Sequence, residues 1–174
     1  NDGEGGGWES HAISNSGETF CLMSVCAMDA DKDGDLDVVG GEGSTTWDRI
    51  YLWTNTDGSG LNWETTLVRG TLGYWPWQVI PADMDIDGDL DIMVRLGISE
   101  VVWYENPHIS GSVDVVWGYH LVAEKFPVNE ISVADVNGDG WLDVVNASAG
   151  SSKQLSWWEN LDGTGENWAE RTIC

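Results

Sequence analysis

Short apolar runs recur along the chain, separated by polar and glycine-rich breaks. Runs of this length, rich in Val, Ile, Leu, Trp and Tyr, read as β-strands. The pattern predicts a first strand near residues 22–28, again near 77–82 and again near 130–134. A second strand is expected at 36–39, 90–94 and 142–145, and a third at 50–54, 101–104 and 155–158. Asp-Gly turns at Asp57-Gly58 and Asp162-Gly163 lead into a fourth strand that begins at Trp63 and Trp168, with Trp117 as its counterpart in the middle repeat. No window of about 11 or more residues carries a helical period, so the expected class is all-β.

The strands belong to a threefold internal repeat. The segments AMDADKDGDLDVVG, PADMDIDGDLDIMV and VADVNGDGWLDVVN align on Asp29, Asp83 and Asp135, which lie 54 and 52 residues apart. A second landmark ends in Asn55, Asn106 and Asn160, and a third is Trp63, Trp117 and Trp168 with the residues after them. Trp8 begins a fourth copy of this last landmark, WESHAI. A period of about 50 residues with four strands is that of one propeller blade. The expected architecture is therefore three four-stranded β-propeller-type blades, as a partial propeller or an open array, plus one extra N-terminal strand. Residues 1–14 would be the last strand of a preceding or partner-completed blade, and residues 15–70, 71–123 and 124–174 the three blades. Stacked blades bury both faces of each sheet, so most of the twelve Trp are expected between blades.

Composition adds constraints. The 30 acidic residues against 7 basic ones give a formal charge of −23, which argues against nucleic acid and anionic lipid as partners. No apolar run is long enough to span a membrane as a helix. The opening Asn-Asp-Gly-Glu-Gly-Gly-Gly has neither an initiator Met nor a signal-peptide pattern, as expected of a processed product or a piece of a longer chain. Cys21, Cys26 and Cys174 are too few for a disulfide framework, and Cys21 and Cys26 sit on opposite faces of one strand.

Many of the acids concentrate in three loops of the form Asp-x-Asp/Asn-x-Asp-Gly-x-x-Asp. Ca²⁺ takes six to eight hard oxygen ligands. Acids at positions 1, 3, 5 and 9 with a backbone carbonyl at position 7 can wrap it, and Gly at position 6 allows the sharp turn. The candidate ligands are Asp29, Asp31, Asp33, Asp35 (backbone) and Asp37; Asp83, Asp85, Asp87, Asp89 (backbone) and Asp91; and Asp135, Asn137, Asp139, Trp141 (backbone) and Asp143. About three Ca²⁺ ions, one per loop, are expected. A turn closed by its own Asx side chains explains one such loop, but not three at one repeat phase. The EF-hand is excluded, because position 12 is Gly40, Val94 or Asn146 and a β-run follows each loop.

The loop, the following Leu-Asp-Val-Val, Trp-Tyr/Trp-Glu-Asn, Asp-Gly-x-Gly and Trp-x-x-His together resemble bacterial VCBS/FG-GAP repeats, the blades of integrin-α-like propellers. The resemblance covers essentially the whole chain, although the second repeat has Pro107-His108 in place of the Asp-Gly turn. It implies Ca²⁺ in each loop, an extracellular location, secreted or cell-surface, and roles in adhesion, glycan binding or assembly. Complete propellers of that family have about seven blades. Three cannot close a ring, so further blades of a longer chain or a homo-oligomer are expected, with residues 8–14 free to add to a neighbouring sheet.

No nucleophile, zinc or phosphate-loop motif occurs, and no active site is expected. His11 and His120 share one repeat phase, as do Glu105 and Glu159, and both pairs read as structural. His108 stands alone in a turn. Trp47, Trp75, Trp77 and Trp141 have no aromatic counterparts in the other repeats, which makes them candidates for stacking on a glycan. Asn146-Ala147-Ser148 fits an N-glycosylation acceptor. Three readings stay open: a binding module for glycan or protein, a structural subunit of an extracellular ring or filament, and an accessory propeller of a polysaccharide-active enzyme.

Overall fold

The computed structural model describes residues 7–14, 21–44, 48–107, 116–124, 127–148 and 154–173. Among the described residues there is no helix, and the strands form three four-stranded antiparallel sheets. The first holds β1 (Leu22–Met28), β2 (Asp37–Gly43), β3 (Asp48–Asn55) and β4 (Trp63–Gly70). The second holds β5 (Pro76–Ala82), β6 (Asp91–Leu96), β7 (Glu100–Glu105) and β8 (Gly118–Glu124). The third holds β9 (Glu130–Ala134), β10 (Asp143–Ala147), β11 (Leu155–Asn160) and β12 (Trp168–Thr172). Each sheet pairs its strands in chain order, and none closes into a barrel. The architecture is that of open propeller-like blades.

The register repeats as faithfully as the sequence. Met28 faces Asp37, Ala82 faces Asp91 and Ala134 faces Asp143, so each acidic loop joins the first strand to the second at one end of its sheet. The sheets pack through their first strands, β1 against β5 and β5 against β9. One apolar cluster joins Met28, Val39 and Leu52 of the first sheet to Val79, Ile92 and Tyr104 of the second. Another joins Met84, Met93 and Trp103 of the second to Ile131, Val144 and Trp158 of the third. The core therefore lies in two seams between sheets. At the first seam Gly41 admits β5 closely, since a Cβ there would stand 2.8 Å from the Pro76 carbonyl oxygen.

Two expectations need correction. Residues 8–14 form no strand, and the Trp8 side chain is exposed. The segment has the composition of a fourth strand, but an isolated strand has no ladder partner to order it. The Trp residues also enter the core less often than the pattern predicts. Trp53, Trp103, Trp117 and Trp158 are buried, whereas Trp63 and Trp168 are half-buried on the outer strands. There their indole N–H groups donate to Gly60 O and Gly165 O, at 3.0 and 2.7 Å.

Cys21 and Cys26 are free thiols, and burial pushes the Cys26 thiol up to about 11. Cys174 lies outside the described residues.

Candidate metal centres

All three acidic loops fold the same way, through hydrogen bonds from backbone N–H groups to their own carboxylates. Gly34, Gly88 and Gly140, at position 6, donate to Oδ2 of Asp29, Asp83 and Asp135. The N–H of position 7 (Asp35, Asp89, Trp141) donates to Oδ1 of Asp33, Asp87 and Asp139. The N–H of position 5 donates to the side chain of Asp31, Asp85 or Asn137. The position 6 glycines have φ of +96°, +91° and +94°, the left-handed region that only Gly enters without cost. Position 4 is left-handed too, at Lys32, Ile86 and Gly138. The sequence signals this second reversal only in the third loop, where the residue is Gly.

The last acid of each loop has a second task. Asp37 accepts the N–H of Ala30 through Oδ2 and that of Asn55 through Oδ1, both at 2.8 Å. Asp91 does the same for Met84 and Asn106, and Asp143 for Val136 and Asn160. One buried carboxylate thus ties the start of the loop to the end of the third strand. Burial pushes all three carboxyls up, Asp91 to about 7, against the lowering effect of their backbone N–H donors.

Asp29, Asp31 and Asp37 bring three ligand oxygens within 4.8 Å of one another, and Asp83, Asp85 and Asp91 do the same. Burial and then the Asp33 charge push Asp31 up, and burial likewise raises Asp85. Oδ1 of Asp29 and Oδ1 of Asp83 are buried without a hydrogen-bond partner. An orphaned carboxylate oxygen among other carboxylates is costly unless a cation meets it. Both clusters fit a hard divalent cation on that ground. In the third loop Asn137 replaces an acid and donates to Asp139 and Glu159, and the residues from Asp135 to Gly140 are exposed.

The structure holds Asp33, Asp87 and Asp139 in the loop backbone bonds described above. The Asp89 side chain is buried and ion-paired with Lys32 of the preceding loop, a link between loops that no spacing rule announces. Trp141 lies against Gly163, where a Cβ would meet its indole nitrogen at 2.5 Å. The sequence marked Asn55, Asn106 and Asn160 as landmarks without a role. Asn106 Nδ2 donates to Ala30 O at 2.9 Å and Asn160 Nδ2 to Met84 O at 3.4 Å, so each holds the acidic loop of the preceding sheet.

The stacking candidates do not form one group. Trp75 and Trp77 are exposed neighbours with ring centroids 5.8 Å apart, and Arg95 lies over the Trp77 ring at 5.7 Å. Trp47 lies outside the described residues. Asn146 is buried in β10, its amide 3.5 Å from Ser156 Oγ, which removes it as a glycosylation acceptor in the folded chain.

His120 stacks on Trp103 at 4.1 Å and bridges Glu105 and Glu166, at 2.9 and 2.8 Å. Arg171 pairs with Glu159 at the same repeat phase. His11 is exposed near Glu9, and His108 is outside the described residues.

Residues 29–94 match the family model of the FG-GAP-like repeat, a span holding both three-acid clusters. No curated protein and no solved structure shows significant similarity to the chain.

Proposed function

We propose that this chain, with its FG-GAP-like repeat, is a non-catalytic, Ca²⁺-stabilised extracellular binding and adhesion module that assembles with further blades or copies of itself. The observation that carries the reading is the pair of three-acid clusters, each with a buried orphaned carboxylate oxygen. Ca²⁺ supplies the positive charge that these oxygens lack and crosslinks loop segments already aligned by backbone hydrogen bonds. FG-GAP repeats often bind Ca²⁺ and are typically extracellular, and a millimolar-Ca²⁺ environment suits loops built this way. No helix among the described residues is long and apolar enough to cross a membrane.

Calorimetric titration with Ca²⁺ tests the reading. Two sites of similar affinity are expected from the first two loops. The third, with one carboxylate fewer and more water around it, should bind at least about tenfold more weakly. Asn137→Asp should close most of that gap. A chain that takes up no Ca²⁺ at millimolar concentration sinks the proposal.

The exposed Tyr74, Trp75 and Trp77 beside Arg95 favour a glycan over a protein as ligand. Flat exposed rings suit stacking on a sugar, and the buried Arg95 beneath Trp77, held by Gly97 O and Val128 O, backs that ring. Titration of oligosaccharides should quench Trp fluorescence, and Trp77→Ala should abolish the response. An unchanged spectrum across acidic and neutral oligosaccharides removes the glycan reading.

A further inference from the structure

The two seams between sheets use the same phases of the repeat, and each phase has one member left over. Across the first seam Ser24 Oγ accepts the N–H of Val79 at 3.1 Å. Across the second, Gln78 at the same phase accepts the N–H of Ile131 through Oε1 at 3.0 Å. The third member is Glu130, exposed on β9, whose Oε1 accepts from Gln78 Nε2 at 3.3 Å and whose second oxygen has no partner among the described residues. Its complement is the Val25 N–H. Val25 is paired with Gly40 in the register that Val79 has with Val94 and Ile131 with Asn146, so this N–H points to the free edge of β1. The Val25 side chain is 61% exposed, against 4% for Val79 and 2% for Ile131.

The Asn latch is left over in the same way. Asn106 and Asn160 hold carbonyls of the preceding sheet. Asn55, at their phase, donates its side-chain amide to no carbonyl among the described residues. The matching open carbonyl belongs to Val136, which is 42% exposed where its counterparts Ala30 and Met84 are at 3% and 0%. Ala134 is likewise exposed, whereas Met28 and Ala82 at its phase are buried.

The third phase is aromatic. Trp103 Nε1 donates to Gly165 O at 3.0 Å, and its ring fills the place of a Gly165 Cβ, 2.6 Å away. Trp157 stands at the phase of Trp103, with an indole N–H that has no partner among the described residues. Gly60 stands at the phase of Gly165 and has nothing within 4 Å of its Cβ position.

Deepening the assembly part of the proposed function, we propose that the open face of the third sheet seats on the open face of the first sheet of a second copy of this chain. Glu130 accepts the Val25 N–H of the second copy. Asn55 of the second copy donates to Val136 O, and Trp157 covers Gly60. Donor meets acceptor at each pair, and the internal seams show that the repeat makes these contacts. The contact is heterologous and so propagates until it closes. Two copies carry six sheets, within the range of about four to eight blades of closed propellers, so closure is expected at the dimer.

Sedimentation velocity in about 1 mM Ca²⁺ and 150 mM salt, where screening weakens repulsion between two chains of charge −23, tests this. The expected particle has about twice the 19.0 kDa chain mass. Val25→Asp and Ala134→Arg, one on each open face at exposed positions, should each weaken association by about tenfold or more. Mixing the two variants should restore one seam and hence association. Ile98→Asp, exposed in the turn after β6, should leave the mass unchanged. A 19.0 kDa wild-type particle up to about 100 μM, or association indifferent to both face variants, overturns the proposal. The cover would then be a further blade of a longer polypeptide. Chelator melts of the same samples report the loops separately, so failure of the Ca²⁺ reading and failure of assembly are distinguishable.

Discussion

Chelation of Ca²⁺ is expected to lower the melting temperature by roughly 10–20 °C near pH 7.5. An ion bound only by the folded chain at about 100 times its Kd adds about 2.7 kcal/mol. Two such sites add roughly 5 kcal/mol, and about 1 kcal/mol shifts the midpoint by some 2–4 °C in a chain of this size. The pH dependence should differ in sign between the two states. In chelator the folded Asp91 carboxyl holds its proton up to about 7, whereas the unfolded one releases it near 3.8. The folded state then binds more protons throughout that window, so stability is greatest on its acid side and declines as pH rises to 7. Asp37 and Asp143 act in the same direction. With Ca²⁺ present, protons compete with the ion, and stability falls as pH drops. The two melting curves should therefore converge towards pH 4. Equal melting temperatures with and without chelator at pH 7.5 contradict the assignment of the loops.

Asp91→Ala is the most damaging single substitution expected in the loops. It deletes both acceptors of the clamp and leaves the N–H groups of Met84 and Asn106 without partners at the second sheet's loop. Each buried orphaned donor costs about 1–3 kcal/mol, so the loss in chelator is about 2–6 kcal/mol. The second Ca²⁺ site is lost as well. Asp91→Asn keeps one acceptor oxygen and should lose about half as much stability while still losing the ion. Urea midpoints in chelator separate the two roles. A wild-type midpoint for Asp91→Ala under those conditions means that the carboxylate serves the ion alone.

The strand order and the loops were legible because each is written three times. One Asp-rich turn is ambiguous, whereas a Gly at the same place in three loops specifies a common backbone reversal. Position 4 was not legible. Lys32 and Ile86 are ordinary residues, and their left-handed backbone is imposed by the loop, at about 1–3 kcal/mol for a β-branched side chain such as Ile86. The clamp could be read only as a ligand, since nothing in Leu-Asp-Val-Val says that the carboxylate is buried and doubly bonded to the backbone. The Asn latches join residues 76 apart in the chain and depend on how sheets stack, which local patterning does not encode. Residues 8–14 have strand-like composition, but no strand among the described residues pairs with them, and composition does not show whether a pairing edge is at hand.

Each seam is made from phases of the repeat rather than from unique positions. A duplicated unit therefore arrives with two faces, each carrying donors and acceptors already matched to its neighbours. Gene segments of this period can be gained or lost whole without redesigning an interface. Selection is then left free to alter the solvent-facing positions, where Trp75 and Trp77 already differ from their counterparts in the other units.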